Sequence, residues 1–114
     1  MKKLCLIFIL LISPITYSGE FYINGITDCG TWYEGRSKGG ASNLEAFVQG
    51  YVNGAVMATG VEIWHAKGVV TSPQALYLFV DNYCKSNPLE SIVSASWDFI
   101  NKKTNNAFFK QHKN

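Results

Sequence analysis

The chain has 114 residues, 47% of them hydrophobic, with 10 Lys and Arg against 8 Asp and Glu. That length supports one small domain with a thin core. The scattered, nearly balanced charge gives no electrostatic footprint for nucleic acid and no basic cluster for an anionic membrane surface.

Residues 1–18, MKKLCLIFILLISPITYS, read as a secretory signal peptide: Lys2 and Lys3, an uncharged run from Leu4 to about Ile12, a break at Pro14, then small residues at Thr16 and Ser18. The apolar run is far short of the roughly 20 residues that span a bilayer. Cleavage is expected near Ser18/Gly19, with no stable membrane insertion afterwards. It removes two lysines and leaves 8 basic and 8 acidic residues. Cys5 goes with the peptide, so Cys29 and Cys84 are the only cysteines of the mature chain. In a periplasmic or secreted setting, one Cys29–Cys84 disulfide is the economical inference. Closing a loop of that length stabilises by about 4 kcal/mol on chain-entropy grounds. A metal site is disfavoured, because His65 and His112 have no ligand spacing to the cysteines.

The mature chain reads as a single helical domain over residues 19–104, followed by a loosely held tail at 105–114. A short helix is expected from Asp28 to about Ser37, bearing Cys29, Trp32 and Tyr33 and ended by KGGAS. From Ser42 to about Val61, Leu44, Phe47, Val48, Tyr51, Val52, Ala55 and Val56 recur at three- and four-residue steps, which predicts a long central helix. Ser42 and Glu45 have the spacing of a capping box. Gly50, Gly54 and Ala58 form a lane of small residues along this helix. Each glycine weakens a helix by up to about 1 kcal/mol, so the lane predicts another element lying close against it.

The pattern loosens through VEIWHAKGVVT. Ser72-Pro73 then marks a helix start, and Leu76, Phe79, Val80 and Tyr83 make a stripe that ends on Cys84. Asn87-Pro88-Leu89-Glu90 repeats the start signal, and Leu89, Ile92, Val93, Trp97 and Ile100 make a fourth stripe. No strand pattern is convincing. The expected fold is all-α, a small bundle of about four helices with one helix-linking disulfide.

Candidate chemistry is sparse. Glu62 and His65 make the E-x-x-H step of di-iron bundles, without the second such step those sites need. Glu34 with Glu45 or Asp81 is a carboxylate pair of the type that serves glycoside hydrolysis when the two come close. Neither grows into a catalytic constellation, so the expectation is a protein that is not an enzyme and uses no cofactor and no metal. Trp32, Phe47, Tyr83 and Trp97 fall on inner stripes and are expected in the core. Tyr33, Trp64 and Tyr77 fall off the stripes. With Glu62, His65 and Lys67 of the glycine-flanked segment 61–71, they are the expected partner-binding residues, since aromatic anchors on ordered loops often carry binding energy.

The order CGTWYEGR, FVQGYVNGAV, LYLFVDNYCKSNPLESI resembles a group of small exported bacterial proteins. The matching positions are Cys29, Trp32, Gly50, Tyr51, Gly54, Tyr83, Cys84, Asn87 and Pro88. This group is similar to the Rap/Tai-like immunity proteins of type VI secretion and, more distantly, to the HdeA-type periplasmic acid-stress chaperones. The resemblance implies a helical periplasmic domain that docks on and inhibits a partner protein of the cell envelope, in an immunity- or exclusion-like role. A second copy of the chain is a further candidate partner. The alternatives are an acid-stress chaperone and a small cell-wall-acting enzyme.

Overall fold

A computed structural model describes residues 27–107. The expected signal peptide, the rest of the chain up to Ile26 and the expected tail from Phe108 lie outside the described residues. Four helices follow in order: α1 Cys29–Lys38, α2 Ser42–Thr59, α3 Pro73–Ser86 and α4 Ile92–Thr104. A single 3-10 turn, Ala66–Gly68, interrupts the connection between α2 and α3. No strand is present among the described residues, and the all-α fold expected from the stripes is the one observed.

Each helix begins and ends for a local chemical reason. Asp28 caps α1 by accepting the Thr31 N–H at 2.6 Å. Gly39 ends that helix in the left-handed region at φ 75°, where a side chain is costly. Ser72 caps α3 by accepting the Ala75 N–H, with Pro73 in the first turn as its sequence announces. Ser91 caps α4 by accepting the Ser94 N–H at 3.1 Å.

Two expected caps are corrected, although α2 starts at Ser42 as expected. The cap of α2 is Ala41, with no side-chain hydrogen bond, so Ser42 and Glu45 do not form a capping box. Ala41 is buried against Gly35, which turns the chain into the helix one residue early. The Glu45 carboxylate accepts instead from Arg36. Asn87 likewise does not start α4. It closes α3, with its backbone N–H and its side-chain Nδ2 both donating to the Tyr83 carbonyl at 2.9 Å. Pro88 follows, as proline often does after a helix end. Leu89, expected in the fourth stripe, therefore lies in a turn and is 99% exposed.

The core is one cluster drawn from all four helices: Trp32 from α1, Val48 and Val52 from α2, Leu76 and Val80 from α3, and Ile92, Phe99 and Ile100 from α4. Trp32 is buried as expected, whereas Phe47, Tyr83 and Trp97 pack on the cluster from its half-buried margin. Ile63 is fully buried, although it belongs to no stripe.

The Cys29–Cys84 disulfide joins the first residue of α1 to the last turn of α3 across 55 residues of chain. A bridge between Asp28 and Ser91 fastens the same point to the start of α4: the Cys29 N–H donates to Glu90 O, and the Ile92 N–H donates to Thr27 O. The turn over residues 87–90 thus brings α4 back beside the chain that enters α1. From this joint α1 runs antiparallel to α3, and Arg36 reaches Asp81.

The glycine lane differs from expectation. Gly50 and Gly54 are both exposed, and among the described residues nothing lies within 4 Å of a Cβ built at either position. The lane instead forms one side of an open groove of about 390 Å³, with Tyr51, Ala55 and Trp97 completing the lining. The helices α2 and α4 pack through other residues, and the small ones are left beside the contact.

Candidate docking surfaces

One polar knot organises the face between α1, α2 and α3. Arg36 Nη2 donates to Asp81 Oδ2 at 2.8 Å, its Nε donates to Asp81 Oδ1 at 3.0 Å, and its Nη1 donates to Glu45 Oε1 at 2.7 Å. Trp32 Nε1 adds a further bond to Asp81 Oδ1 at 2.8 Å. The guanidinium also lies over the rings of Trp32 and Tyr77, at 5.8 and 5.9 Å. The hydrogen bonds that Arg36 donates to Asp81, and behind them the one it donates to Glu45, push its pKa up, so its charge is fixed. Tyr77, expected at a partner surface, is half-buried in this knot. Its hydroxyl donates to Gln49 Oε1 at 2.9 Å, and burial pushes its pKa up. The arrangement positions helices. Glu45 and Asp81 converge on one arginine, and Glu34 turns away to pair with Lys38.

The loop 61–71 carries the other expected binding residues. Ile63 enters the core, Trp64 Nε1 donates to Asn53 Oδ1 at 2.8 Å, and the Trp64 ring stands 6.3 Å from Phe99. The ring therefore closes one end of the bundle. The Thr71 N–H donates to Trp64 O at 2.6 Å and fastens the loop's second half. Glu62 Oε1 accepts the His65 N–H at 2.8 Å, which holds its carboxyl below the usual range. The E-x-x-H step is thus a capped turn, and no group of three or more His, Cys, Asp or Glu that could hold a metal ion occurs among the described residues. His65 and Lys67 are exposed, and Lys67 takes the left-handed conformation at φ 59°. The large apolar residues displayed here are Val69 and Val70, with Met57 in the last turn of α2.

Tyr33 is the expected binding aromatic that remains out in solvent, 61% exposed. It stands between two shallow depressions. One, of about 270 Å³, has the Cys29–Cys84 disulfide as its floor and Gly30, Lys85 and Pro88 around it. The other, of about 350 Å³, is lined by Arg36, Ser37, Asp81, Asn82 and Lys85. Ser37 Oγ donates to the Tyr33 carbonyl, within α1.

The expected binding residues therefore fall into separate places. Tyr33 lies beside Lys85, near the end of α3, and the loop residues precede its start. The 14 residues of α3 hold these regions about 21 Å apart along its axis. No protein-family model, curated protein or solved structure matches the chain. Sequence reasoning missed Ile63 and Arg36, and read Asp81 only as half of a carboxylate pair, whereas it accepts from Arg36 and Trp32. The available signal was that Trp32 and Arg36 are four residues apart on α1, as Tyr77 and Asp81 are on α3, which aligns one face on each helix.

Proposed function

We propose that the chain is an exported cell-envelope protein that docks on a partner protein and blocks it, in an immunity- or exclusion-like role. The observation that carries this reading is Tyr33. An aromatic ring 61% exposed, on a helix pinned at its first residue by a disulfide, is a rigid anchor of the kind that dominates binding energy. The disulfide fits an oxidising compartment, and no described helix is long and apolar enough to cross a membrane. The Arg36 knot supports the same reading, because it spends the acidic groups of this face on structure and leaves a surface suited to recognition.

The test is photo-cross-linking in producing cells, with a benzophenone side chain placed at position 33, 67 or 70. The expected result is a discrete adduct with an envelope protein from position 33. A discrete adduct from position 67 or 70 alone would move the docking surface to the loop end, and no adduct from any position would overturn the proposal.

A further inference from the structure

The geometry points to an occupant for the disulfide-floored depression: a protein loop that inserts one aliphatic side chain beside Tyr33 and sets a carboxylate on Lys85. This deepens the docking reading and rests on it. The depression holds about 270 Å³, room for one branched apolar side chain, between Tyr33 and Pro88. Leu89, the next residue after Pro88, stands fully exposed. The floor is rigid, because the disulfide and the Cys29 N–H to Glu90 O bond hold both sides of the depression. Such a site is preorganised, so little ordering cost opposes binding.

The charge preference follows from who is already paired. Asp81 and Glu45 are taken by Arg36, Glu34 by Lys38, and Lys102 pairs with Asp98, while Asp28, beside Gly30, is engaged by the Thr31 N–H that it caps. Lys85 borders both depressions and has no carboxylate within bridging distance among the described residues. The acidic residue nearest in sequence beyond the turn, Glu90, is exposed and offers its backbone carbonyl to Cys29. A partner carboxylate next to the inserted apolar side chain would meet Lys85 at the rim, where charge sets orientation and on-rate.

The probe is a displayed library of disulfide-closed random loops, selected on the oxidised full-length mature chain. Enriched loops should pair an apolar residue with Asp or Glu within two positions. They should lose roughly tenfold or more in affinity on Lys85→Glu and on Tyr33→Ser, keep it on Lys67→Glu, and weaken as salt is raised. Circular dichroism melts of all three variants check that folding is kept. Enriched loops without an acidic residue, or full binding to Lys85→Glu, would overturn the assignment. Self-association of the chain abolished by Tyr33→Ser would give the face to a second copy and overturn it too. The two proposals fail separately. Loops that behave as expected without any cross-link from position 33 uphold the site and sink the envelope role. A cross-link with loops lacking the acidic residue does the reverse.

Discussion

Replacing Gly50 and Gly54 by alanine should make the protein more stable. Both glycines sit inside α2 without a positive φ, both are exposed, and among the described residues a Cβ at either meets nothing within 4 Å. An alanine there gains helix propensity of about 1 kcal/mol over glycine and meets no steric cost. For a domain of this size each such gain raises the melting temperature by about 4–8 °C. The assay is a thermal melt of Gly50→Ala, Gly54→Ala and the double variant with the disulfide intact, paired with urea titrations in which the midpoint rises at unchanged slope. Gly60→Ala is the internal control: its φ of 68° strains any side chain, and that variant should lose stability. A melting temperature lowered by Gly54→Ala would refute the reasoning and restore the expectation that something packs on the lane. Gly54→Leu sharpens the contrast, because an open groove tolerates it whereas a packed lane would lose about 1–3 kcal/mol by overpacking.

Ile63→Ala should cost about 2–5 kcal/mol in chemical denaturation, since the side chain is fully buried and its loop is held in place by it. Trp64→Ala should cost about 2–4 kcal/mol by the same assay, through lost packing against Phe99 and the core cluster; an unchanged stability would show that the ring is a free docking anchor. The Cys29→Ala/Cys84→Ala double variant should lose about 4 kcal/mol, the loop-closure contribution of 55 residues, read as a shift in urea midpoint. Asp28 has its carboxyl held below the ordinary value of 3.8, first by the Thr31 backbone N–H, so its contribution is present at neutral pH and is lost as the pH falls below about 4. Asp28→Asn, which keeps a neutral cap, should melt somewhat below the parent at pH 7 and converge with it as the pH falls below about 4; equal melting temperatures at pH 7 would refute the assignment.

The helices were legible because their signals are local and redundant. The stripe Leu76, Phe79, Val80, Tyr83 predicts α3 from spacing alone, and Ser72-Pro73 fixes its start within a residue. The disulfide follows from the cysteine count once the expected leader with Cys5 is set aside. The caps of α2 and α4 differ from expectation for one physical reason: cap spacing is a statement about what a side chain can do, and tertiary partners compete for it. Arg36 drew Glu45 away from Ser42, and the Tyr83 carbonyl drew the Asn87 side chain to the end of α3. The lane was misread because small residues record only that no side chain is needed, which is equally true of a tight contact and an open groove.

The binding residues were the least legible because exposure has no period. Tyr33, Trp64 and Tyr77 look alike in the sequence: each is aromatic and each lies off its helix stripe. Their fates were decided by partners far along the chain. Asn53 and Phe99 turn Trp64 inward, and Gln49 and Arg36 hold Tyr77. Tyr33 is next to Trp32 and therefore points away from the core that its neighbour fills, on a helix whose consecutive side chains lie about 100° apart. Burying Trp32 and bonding its Nε1 to Asp81 thus forces Tyr33 outward. The same contact that completes the core sets the exposed ring above the disulfide. A change such as Trp32→Phe, which deletes the Asp81 bond and leaves a smaller aromatic ring in the core, should loosen both together, and weakened partner binding without any loss of stability would show that the two are not coupled.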